Sequence, residues 1–172
     1  MMIMTRMMKQ VCWTTIPKKV NMASHYVSDS GKSKIAISNF MTLNTKSVQS
    51  DASVKDAAKI MYENHIPSIL VEERGKIIGI VTYADIALAL AIYANEPASQ
   101  IRAIMSTPVI SVTSDSSILD AVELMLERKI HKLPVIDDGN VQGIISSTDV
   151  MSLLSVLNEE QFYDVFRSQI SK

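Results

Sequence analysis

One short cluster of residues occurs twice in the chain, and its residue types suit the binding of a phosphorylated sugar. The copies read Gly-Ile-Val-Thr82-Tyr-Ala-Asp85 and Gly-Ile-Ile-Ser146-Ser-Thr-Asp149. In each copy the hydroxyl residue follows a predicted strand, and the Asp falls where a helix is predicted to begin. Free backbone N–H groups at a helix start suit phosphate, and a carboxylate can accept hydrogen bonds from a ribose diol. Ser, Thr and Asp are also the preferred helix caps, so capping alone is the alternative interpretation.

The two clusters belong to an internal repeat with an offset of 64 residues. Between 37–86 and 101–150, seventeen positions carry the same residue without a gap. A fixed period indicates two copies of one fold unit. Because units of about 50 residues bury too little surface to be stable alone, the repeat predicts a closed pair that shares a core.

Hydrophobic periodicity gives each unit the order strand, helix, strand, strand, helix. Ser53 with Asp56, and Ser117 with Asp120, match a capping box at the start of each first helix. The predicted elements are a helix at 53–64, strands at 69–71 and 77–81, helices at 85–94 and 100–105, a strand at 109–112, a helix at 119–128, strands at 133–136 and 141–145, and a helix at 149–157. The fold class is therefore α+β: two β-α-β-β-α units packed about a pseudo-two-fold axis, with small mixed sheets and helices on one face.

The chain divides into four parts by composition. These are an N-terminal arm at 1–35, the units at 36–96 and 97–157, and an amphipathic helix at 158–172 that docks on the body or forms a dimer contact. The arm carries six basic residues and one acidic residue, and the remainder carries 11 basic and 17 acidic residues. Only the arm therefore suits contact with nucleic acid or a membrane surface. The arm is expected to be poorly ordered, unless translation begins at Met22.

Several function classes lack their signatures in this sequence. Cys12 is the only cysteine, which excludes an internal disulfide and fits a reducing cytoplasm. No apolar run reaches the ~18 residues of a membrane span, and the N-terminus does not read as a secretory signal. There is no nucleophile elbow, P-loop or dinucleotide fingerprint, and no histidine has metal-ligand spacing with the cysteine. We therefore expect a non-catalytic cytoplasmic protein that requires neither metal nor cofactor.

The ordered motifs of the repeat resemble a tandem pair of CBS domains, also called a Bateman module. The matching segments are 105–109 (Met-Ser-Thr-Pro-Val), 115–121 (Asp-Ser-Ser-Ile-Leu-Asp-Ala), 131–137 (His-Lys-Leu-Pro-Val-Ile-Asp) and 143–149 in the second unit, and 41–42, 51–57, 68–71 and 79–85 in the first. Each motif alone is weak, but together they recur twice in register. The resemblance covers about 37–154.

This resemblance implies a regulatory module that binds adenosine-containing ligands in clefts between the two sheets. The ligands would be AMP, ADP, ATP or S-adenosylmethionine, and a homodimer would signal to an effector protein. By family analogy, Asp85 and Asp149 hold the ribose, Thr82 and Ser146 lie near the phosphate, His131 and Lys132 reach the phosphates, and Thr107 and Pro108 border the adenine.

The two clefts are expected to be unequal. Residues 67–68 (Pro-Ser) stand where the second unit has 131–132 (His-Lys). The resemblance therefore predicts that the better phosphate site pairs these two basic residues with the motif that ends at Asp85. The motif that ends at Asp149 would form a weaker site, an empty site or a site for an uncharged ligand. A solvated surface position is the alternative for both basic residues.

A second function class is compatible with the same sequence. The helices around 86–93 and 150–157 are apolar enough to form a flat dimer through matching faces. The chain would then be a protein interaction module whose clefts have degenerated and bind no ligand.

Overall fold

The computed structural model describes residues 35–92, 100–155 and 157. The expected N-terminal arm and the helix expected at 158–172 lie outside these residues. The elements in chain order are β1 (Ser47–Gln49), α1 (Val54–Glu63), β2 (Ser68–Glu73), β3 (Lys76–Thr82), α2 (Tyr83–Ile92), α3 (Ile118–Arg128), β4 (Lys132–Asp137), β5 (Asn140–Ser146) and α4 (Ser147–Leu154), with short 3-10 helices at Ile37–Asn39 and Ile101–Ala103. Among the described helices, none is both long enough and apolar enough to cross a membrane.

The strands form two small sheets, which confirms the predicted α+β class. In the first sheet β1 runs parallel to β2 and β2 pairs antiparallel with β3, and in the second β4 pairs antiparallel with β5. The strand predicted at 109–112 is wrong as an element, because only Val112 forms a bridge to the second sheet. In the first unit Leu70 N–H donates to the Lys46 carbonyl at 3.0 Å. Its counterpart Pro134 has no N–H, so the equivalent ladder bond cannot form.

Each hairpin closes with a two-residue turn that requires positive φ at both positions. Arg74 and Gly75 have φ of 52° and 75°, and Asp138 and Gly139 have φ of 49° and 82°. This is the signature of a type I′ turn, in which glycine at the second position avoids the cost of a Cβ. Gly75 and Gly139, which occupy matching positions in the two units, are therefore required by the turns.

A bulge in each hairpin sets which residues face each other at its open end. The register shifts between Val71 and Glu72 in the first hairpin and at the matching place in the second. Because a shift of one residue moves a side chain to the other face of the sheet, the bulge decides the pairing at the site. It makes Ser68 the partner of Thr82 and Lys132 the partner of Ser146.

The leading segment of the first unit packs on the second unit. Ile37 is fully buried in one hydrophobic cluster with Ile118 and Leu133. A few residues later, Thr42 pairs with Ile144 of β5, through N–H to carbonyl bonds of 2.8 and 2.9 Å. The start of the chain's first repeat is thus part of the second sheet and the second core.

The leading segment of the second unit packs on the first unit in the same way, so the two units exchange their leading segments. Ile101 is fully buried among the core residues of the first unit. Ser106 pairs with Ile80 of β3 through bonds of 2.9 and 3.2 Å. The exchange ties the two units together by hydrogen bonds and by buried apolar surface at once.

Gly79 in β3 and Gly143 in β5 occupy matching positions, and each makes room for the leading segment of the other unit. A Cβ built on Gly79 would lie 2.5 Å from the Met105 Sδ, and one on Gly143 would lie 2.8 Å from the Thr42 carbonyl oxygen. Real Cβ atoms do not approach other atoms so closely. Gly143 is therefore required by the close approach of the Thr42 backbone, which is a regular use of glycine inside a strand. Gly79 instead leaves room for the Met105 side chain.

Both faces of each hairpin are covered. Ile69 and Val71 of β2 belong to the first core, which lies under the helices. Side chains alternate along a strand, so Leu70 points to the other face, where it is 1% exposed. Pro134 occupies the matching position of β4 and is also buried. The second face of each small sheet is thus buried as well, as two sheets packed about a pseudo-two-fold axis require.

The salt bridge between Arg102 and Glu73 has no counterpart at the matching positions, Ser38 and Asp137. Arg102 Nη2 lies 2.5 Å from Glu73 Oε1, which also accepts a 2.9 Å bond from the Ser50 hydroxyl. The Ser50 hydrogen bond and the Arg102 charge lower the pKa of the Glu73 carboxyl. The position that matches Arg102 is Ser38, whose backbone N–H bonds the Ser114 carbonyl at 3.1 Å. The leading segment of the second unit is therefore held by a charged side chain, and that of the first unit is not.

The glycine contacts predict unequal costs for two matched substitutions. Gly143→Ala should lower the free energy of unfolding by about 1–3 kcal/mol, because overpacking here pushes on a backbone carbonyl that is hydrogen-bonded to β5. Gly79→Ala should cost less, since its nearest contact is the flexible end of a methionine side chain. Urea denaturation of both variants measures the difference. Equal costs, or a cheaper Gly143→Ala, would contradict the close approach of Thr42.

Candidate functional site

A cavity of about 600 Å³ lies between the two units. Its volume is in the range of small-molecule sites in proteins. The lining residues are Thr42, Asn44, Thr45, Lys46, His65, Ile66, Pro67, Ser68 and Tyr83 from the first unit, and Lys132, Ile144, Ser146, Thr148 and Asp149 from the second.

Two of the predicted site residues form a capping box at one wall of this cavity. The Asp149 Oδ2 accepts the Ser146 backbone N–H at 2.8 Å and its hydroxyl at 2.6 Å. In return the Asp149 N–H points to the Ser146 Oγ at 3.3 Å. These bonds begin α4 and fix the carboxylate at the cavity wall, so this cluster does cap its helix.

The matching cluster of the first unit has the same geometry. The Asp85 Oδ2 accepts the Thr82 N–H and hydroxyl, both at 2.7 Å, at the start of α2. In both clusters the hydrogen bonds that the described residues make use Oδ2 and leave Oδ1 of the aspartate without a partner. Capping and ligand binding are therefore compatible, because the second carboxylate oxygen remains an acceptor.

The first turn of α4 keeps one backbone donor for the cavity. The caps use the N–H groups of Ser146 and Asp149, and the Ser147 N–H donates to the His131 carbonyl at 3.0 Å. Thr148 lies on the cavity wall, and within the described part of the chain its N–H has no acceptor. A free N–H at the positive end of a helix favours a negatively charged neighbour.

Lys132 enters the cavity because it is the cross-strand partner of Ser146. Its side chain is half-buried. Burial lowers the pKa of the Lys132 ammonium, and the nearby Asp149 carboxylate opposes that shift. None of the ion pairs among the described residues includes Lys132. The cavity therefore contains a positive charge that lost part of its hydration on folding and has no salt-bridge partner there.

The grouping of the basic residues differs from the one expected from sequence. Lys132 was expected beside the motif that ends at Asp85, whereas this cavity contains it together with Asp149. The reason is the hairpin: β4 and β5 are neighbours in one sheet, so the first residue of β4 lies beside the last residue of β5. Which of the two motifs forms the better phosphate site stays a prediction.

The other predicted site residues do not line this cavity. His131 is exposed and contributes its carbonyl to the start of α4. Thr107 donates its hydroxyl to the Ile78 carbonyl at 2.9 Å, and Pro108 is exposed. Their assignments, and that of the Thr82 hydroxyl, stay predictions for the cleft related to this one by the pseudo-two-fold.

Among the first-unit residues that line the cavity, Lys46 and His65 have basic side chains to which the motifs assigned no role, and Tyr83 directly follows Thr82 of the repeated motif. Lys46 directly precedes β1, His65 follows α1 with φ of 53°, and the Tyr83 hydroxyl donates to the Met61 carbonyl at 3.3 Å. Lys46 has Ile110 at its matching position, so a comparison of the two units gives no signal for it. His65 was detectable, because its counterpart Lys129 is also basic.

A smaller cavity of about 220 Å³ shares Thr45 and Lys46 with the first and extends to both hairpin turns. Glu72 is the acidic residue in its lining, and its carboxylate is already bonded by Ser47 and Gln49. Across the described residues, no three His, Cys, Asp or Glu side chains come close enough to hold a metal ion.

Comparison with known proteins identifies the repeat. The family described as the CBS domain matches residues 37–92 and 101–156. The CBS domain-containing protein YhcV of Bacillus subtilis is 29% identical over 115 residues, which cover 67% of this chain and 82% of that protein. A homoserine O-acetyltransferase of Methanococcoides burtonii is 33% identical over 134 residues, 76% of this chain. The chain spans only 26% of that enzyme.

Among solved structures, the chain is similar to the CBS domain pair of protein MJ0100. That pair is in complex with 5′-methylthioadenosine and S-adenosyl-L-methionine. The similarity has a TM-score of 0.65 and 30% identity, and it covers 71% of this chain and 97% of that one.

The caps at the site have a measurable energetic role. Ser146→Ala should lower the free energy of unfolding by about 1 kcal/mol, the usual cost of losing an N-cap. Ser117→Ala, which removes the same capping box from α3 outside the cavity, is the matched control and should cost a similar amount. Chemical denaturation measures both. A neutral Ser146→Ala beside a costly Ser117→Ala would show that Ser146 does not cap α4.

Proposed function

Because this chain belongs to the CBS-domain family, we propose that it is a regulatory module that binds an adenosine-containing ligand in the cavity between its two units. The ligand's ribose would bond the Asp149 carboxylate. The proposal draws on the likeness to a CBS pair that binds two adenosine compounds, and on the residues that line the cavity of this chain.

One observation carries the proposal: a fixed carboxylate with a free oxygen lies in a cavity large enough for a nucleoside. The capping bonds hold the Asp149 side chain in one orientation before any ligand arrives. Its Oδ1 remains an acceptor, and a ribose offers two adjacent hydroxyl donors. A preorganised acceptor costs little ordering entropy on binding, which favours affinity.

A ligand in this cavity would also contact the segment that connects the two units. Residues 42 and 44–46 line the cavity, and their segment connects Ile37 in the second core with β1 in the first sheet. A ligand that contacts this connector and Asp149 would favour one arrangement of the two units. It shifts the equilibrium between arrangements only by its difference in affinity for them. We propose that an effector protein reads this change.

A regulatory role is the better proposal than catalysis. The enzymes among the relatives are about four times longer than the region that matches, so their chemistry cannot be transferred to this chain. The cavity lining contains one carboxylate and one imidazole but no cysteine. The cytoplasmic location and the role of the basic arm stay predictions, and the arm lies outside the described residues.

Ligand titration of the purified full chain tests the proposal. We expect at least one of AMP, ADP, ATP, S-adenosylmethionine or 5′-methylthioadenosine to bind and raise the melting temperature. At a hundredfold excess over Kd, the expected stabilisation is about 2.7 kcal/mol. The absence of any heat of binding and of any thermal shift at millimolar ligand would refute it.

A pair of aspartate variants separates binding from stability. Asp149→Ala should weaken binding about tenfold or more, since it removes a charged acceptor. Asp120→Ala removes an aspartate with the same capping role on α3, away from the cavity, and should destabilise the fold without changing affinity. Equal affinity loss in both variants would indicate a stability effect only.

A second proposal, self-association, rests on the surface of α2. Leu88 and Leu90 are 60% and 62% exposed, while Ile86 and Ala89 of the same helix are buried in the core. Asp85 is the only charged residue of this helix. Exposed apolar side chains on an almost uncharged helix favour contact with a second copy.

Substitution on this helix tests self-association. We expect the wild-type chain to be dimeric at micromolar concentration and Leu88→Lys to be monomeric, because a buried unpaired ammonium opposes the contact. Leu126→Lys on α3, also at an exposed apolar position, is the control and should remain dimeric. Light scattering after size-exclusion chromatography measures the mass. A monomeric wild type, or a dimeric Leu88→Lys, would refute this contact.

A further inference from the structure

The first described residues enter the fold beside the start of α3. Ala36 forms an antiparallel bridge with Ser117, which is the N-cap of that helix. The Ile118 N–H donates to the Ile35 carbonyl at 3.0 Å, and the Ile35 side chain packs against the second core. The backbone at Ile35 is therefore fixed at α3, and the N-terminal arm leaves the body from this point.

The surface around this point carries negative charge. The Asp120 Oδ2 accepts the Ser117 N–H at 2.9 Å. Further along the leading segment, the Ser114 carbonyl accepts the Ser38 N–H at 3.1 Å, and the Ser114 N–H donates to the Asp137 Oδ1 at 2.9 Å. The ion pairs among the described residues include neither Asp120 nor Asp137. Both carboxylates therefore lie close to the leading segment without a cation from the described part of the chain.

The matching surface of the first unit holds a cation. Glu73 occupies the position of Asp137, and its carboxylate forms a salt bridge with Arg102 of the leading segment that packs there. Ser38 stands in the place of Arg102 and brings no charge to Asp137. The first unit thus shows the kind of group that this surface accepts, which is a cation carried by the exchanged leading segment.

Two lysines directly precede the leading segment that lacks the arginine. Lys34 is bonded to Ile35, so the two Cα atoms lie about 3.8 Å apart. Lys32 lies two residues earlier, whereas the positions that match Lys32 and Lys34 before the other leading segment are Glu96 and Ala98. Each leading segment therefore has its own source of positive charge, within it in one case and just before it in the other.

We infer that residues 32–34 of the N-terminal arm dock on the start of α3 in the same chain, with their lysines beside the carboxylates of Asp120 and Asp137. The arm is the expected occupant because it is basic, the body is acidic, and the covalent chain delivers the lysines to this surface. A segment tethered this closely has an effective concentration on the order of millimolar, which a second copy at micromolar concentration does not reach.

This contact would control the availability of the arm. Ion pairs at an exposed surface are weak and are screened by salt, so the contact opens and closes readily. A nucleic acid or a membrane surface would have to compete with the carboxylates of the body for the same lysines. The acidic surface at α3 would thus act as an intramolecular inhibitor of any anionic partner of the arm.

Carbodiimide cross-linking of the full chain followed by mass spectrometry tests the contact, because this reagent joins an amine to a carboxylate that touches it. Lys32 or Lys34 should be linked to a carboxylate of residues 115–120 or to Asp137. About 1 M salt, which shortens the screening length to about 3 Å, should lower the yield at least twofold. No link, or links spread evenly over the acidic residues of the body, would overturn the inference. Links between labelled and unlabelled chains in a mixture would assign the lysines to a second copy and also overturn it.

Neutral variants assign the contact to its carboxylates. Asp120→Asn combined with Asp137→Asn keeps the oxygen acceptors but removes both charges. Trypsin cleavage after Lys34, measured relative to cleavage after Lys19 of the same chain, should become about threefold faster, the usual effect of losing an exposed ion pair. Asp56→Asn, at the matching position of α1, is the control and should leave this ratio unchanged. An unchanged ratio in the double variant, or an equal change in the control, would refute the docking.

Discussion

The fold depends on the close approach of two exchanged segments to two glycines. Thr42 can pair with β5 only because Gly143 has no side chain, and Gly79 leaves room for the Met105 side chain next to the point where Ser106 pairs with β3. Each exchange carries an isoleucine into the core of the other unit. Neither unit therefore has a complete core or a complete sheet by itself. The cavity wall around Thr42 exists as a consequence, since this segment lies there only when it is paired with the second unit.

The second constraint is the bulge in each hairpin. From the two-residue turn alone, Asp137 faces Asn140, and counting outward would place Lys132 opposite Ile145. The bulge shifts the register by one, so Lys132 faces Ser146 instead. This one-residue difference decides whether the ammonium group lies beside the Ser–Asp motif or on the other face of the sheet. The sequence carries no signal for the bulge, and the expected pairing of Lys132 with Asp85 followed from the family resemblance alone.

What the sequence predicted well are features that repeat or that follow from local chemistry. The capping box at Ser117 and the helix, strand, strand, helix order that both units share result from short-range preferences. The exchange of leading segments is a long-range choice, and nothing local distinguishes it from packing on the same unit. Lys46 was missed for a related reason, because its position is not repeated as a basic residue in the second unit.

The capping boxes explain how one motif can serve stability and recognition together. A cap needs one oxygen of the aspartate, and the geometry of a carboxylate leaves the other directed away from the helix. The same arrangement exists at Asp85 and at Asp149, so the two motifs are equivalent as acceptors. Differences between the clefts must then come from the residues around them, which are not repeated. Electrostatic attraction between an anion and partly desolvated lysines is stronger than at the open surface. Ser68 is the cross-strand partner of Thr82, whereas the half-buried Lys132 is the partner of Ser146, so the two motifs share one geometry but differ in the charge beside them.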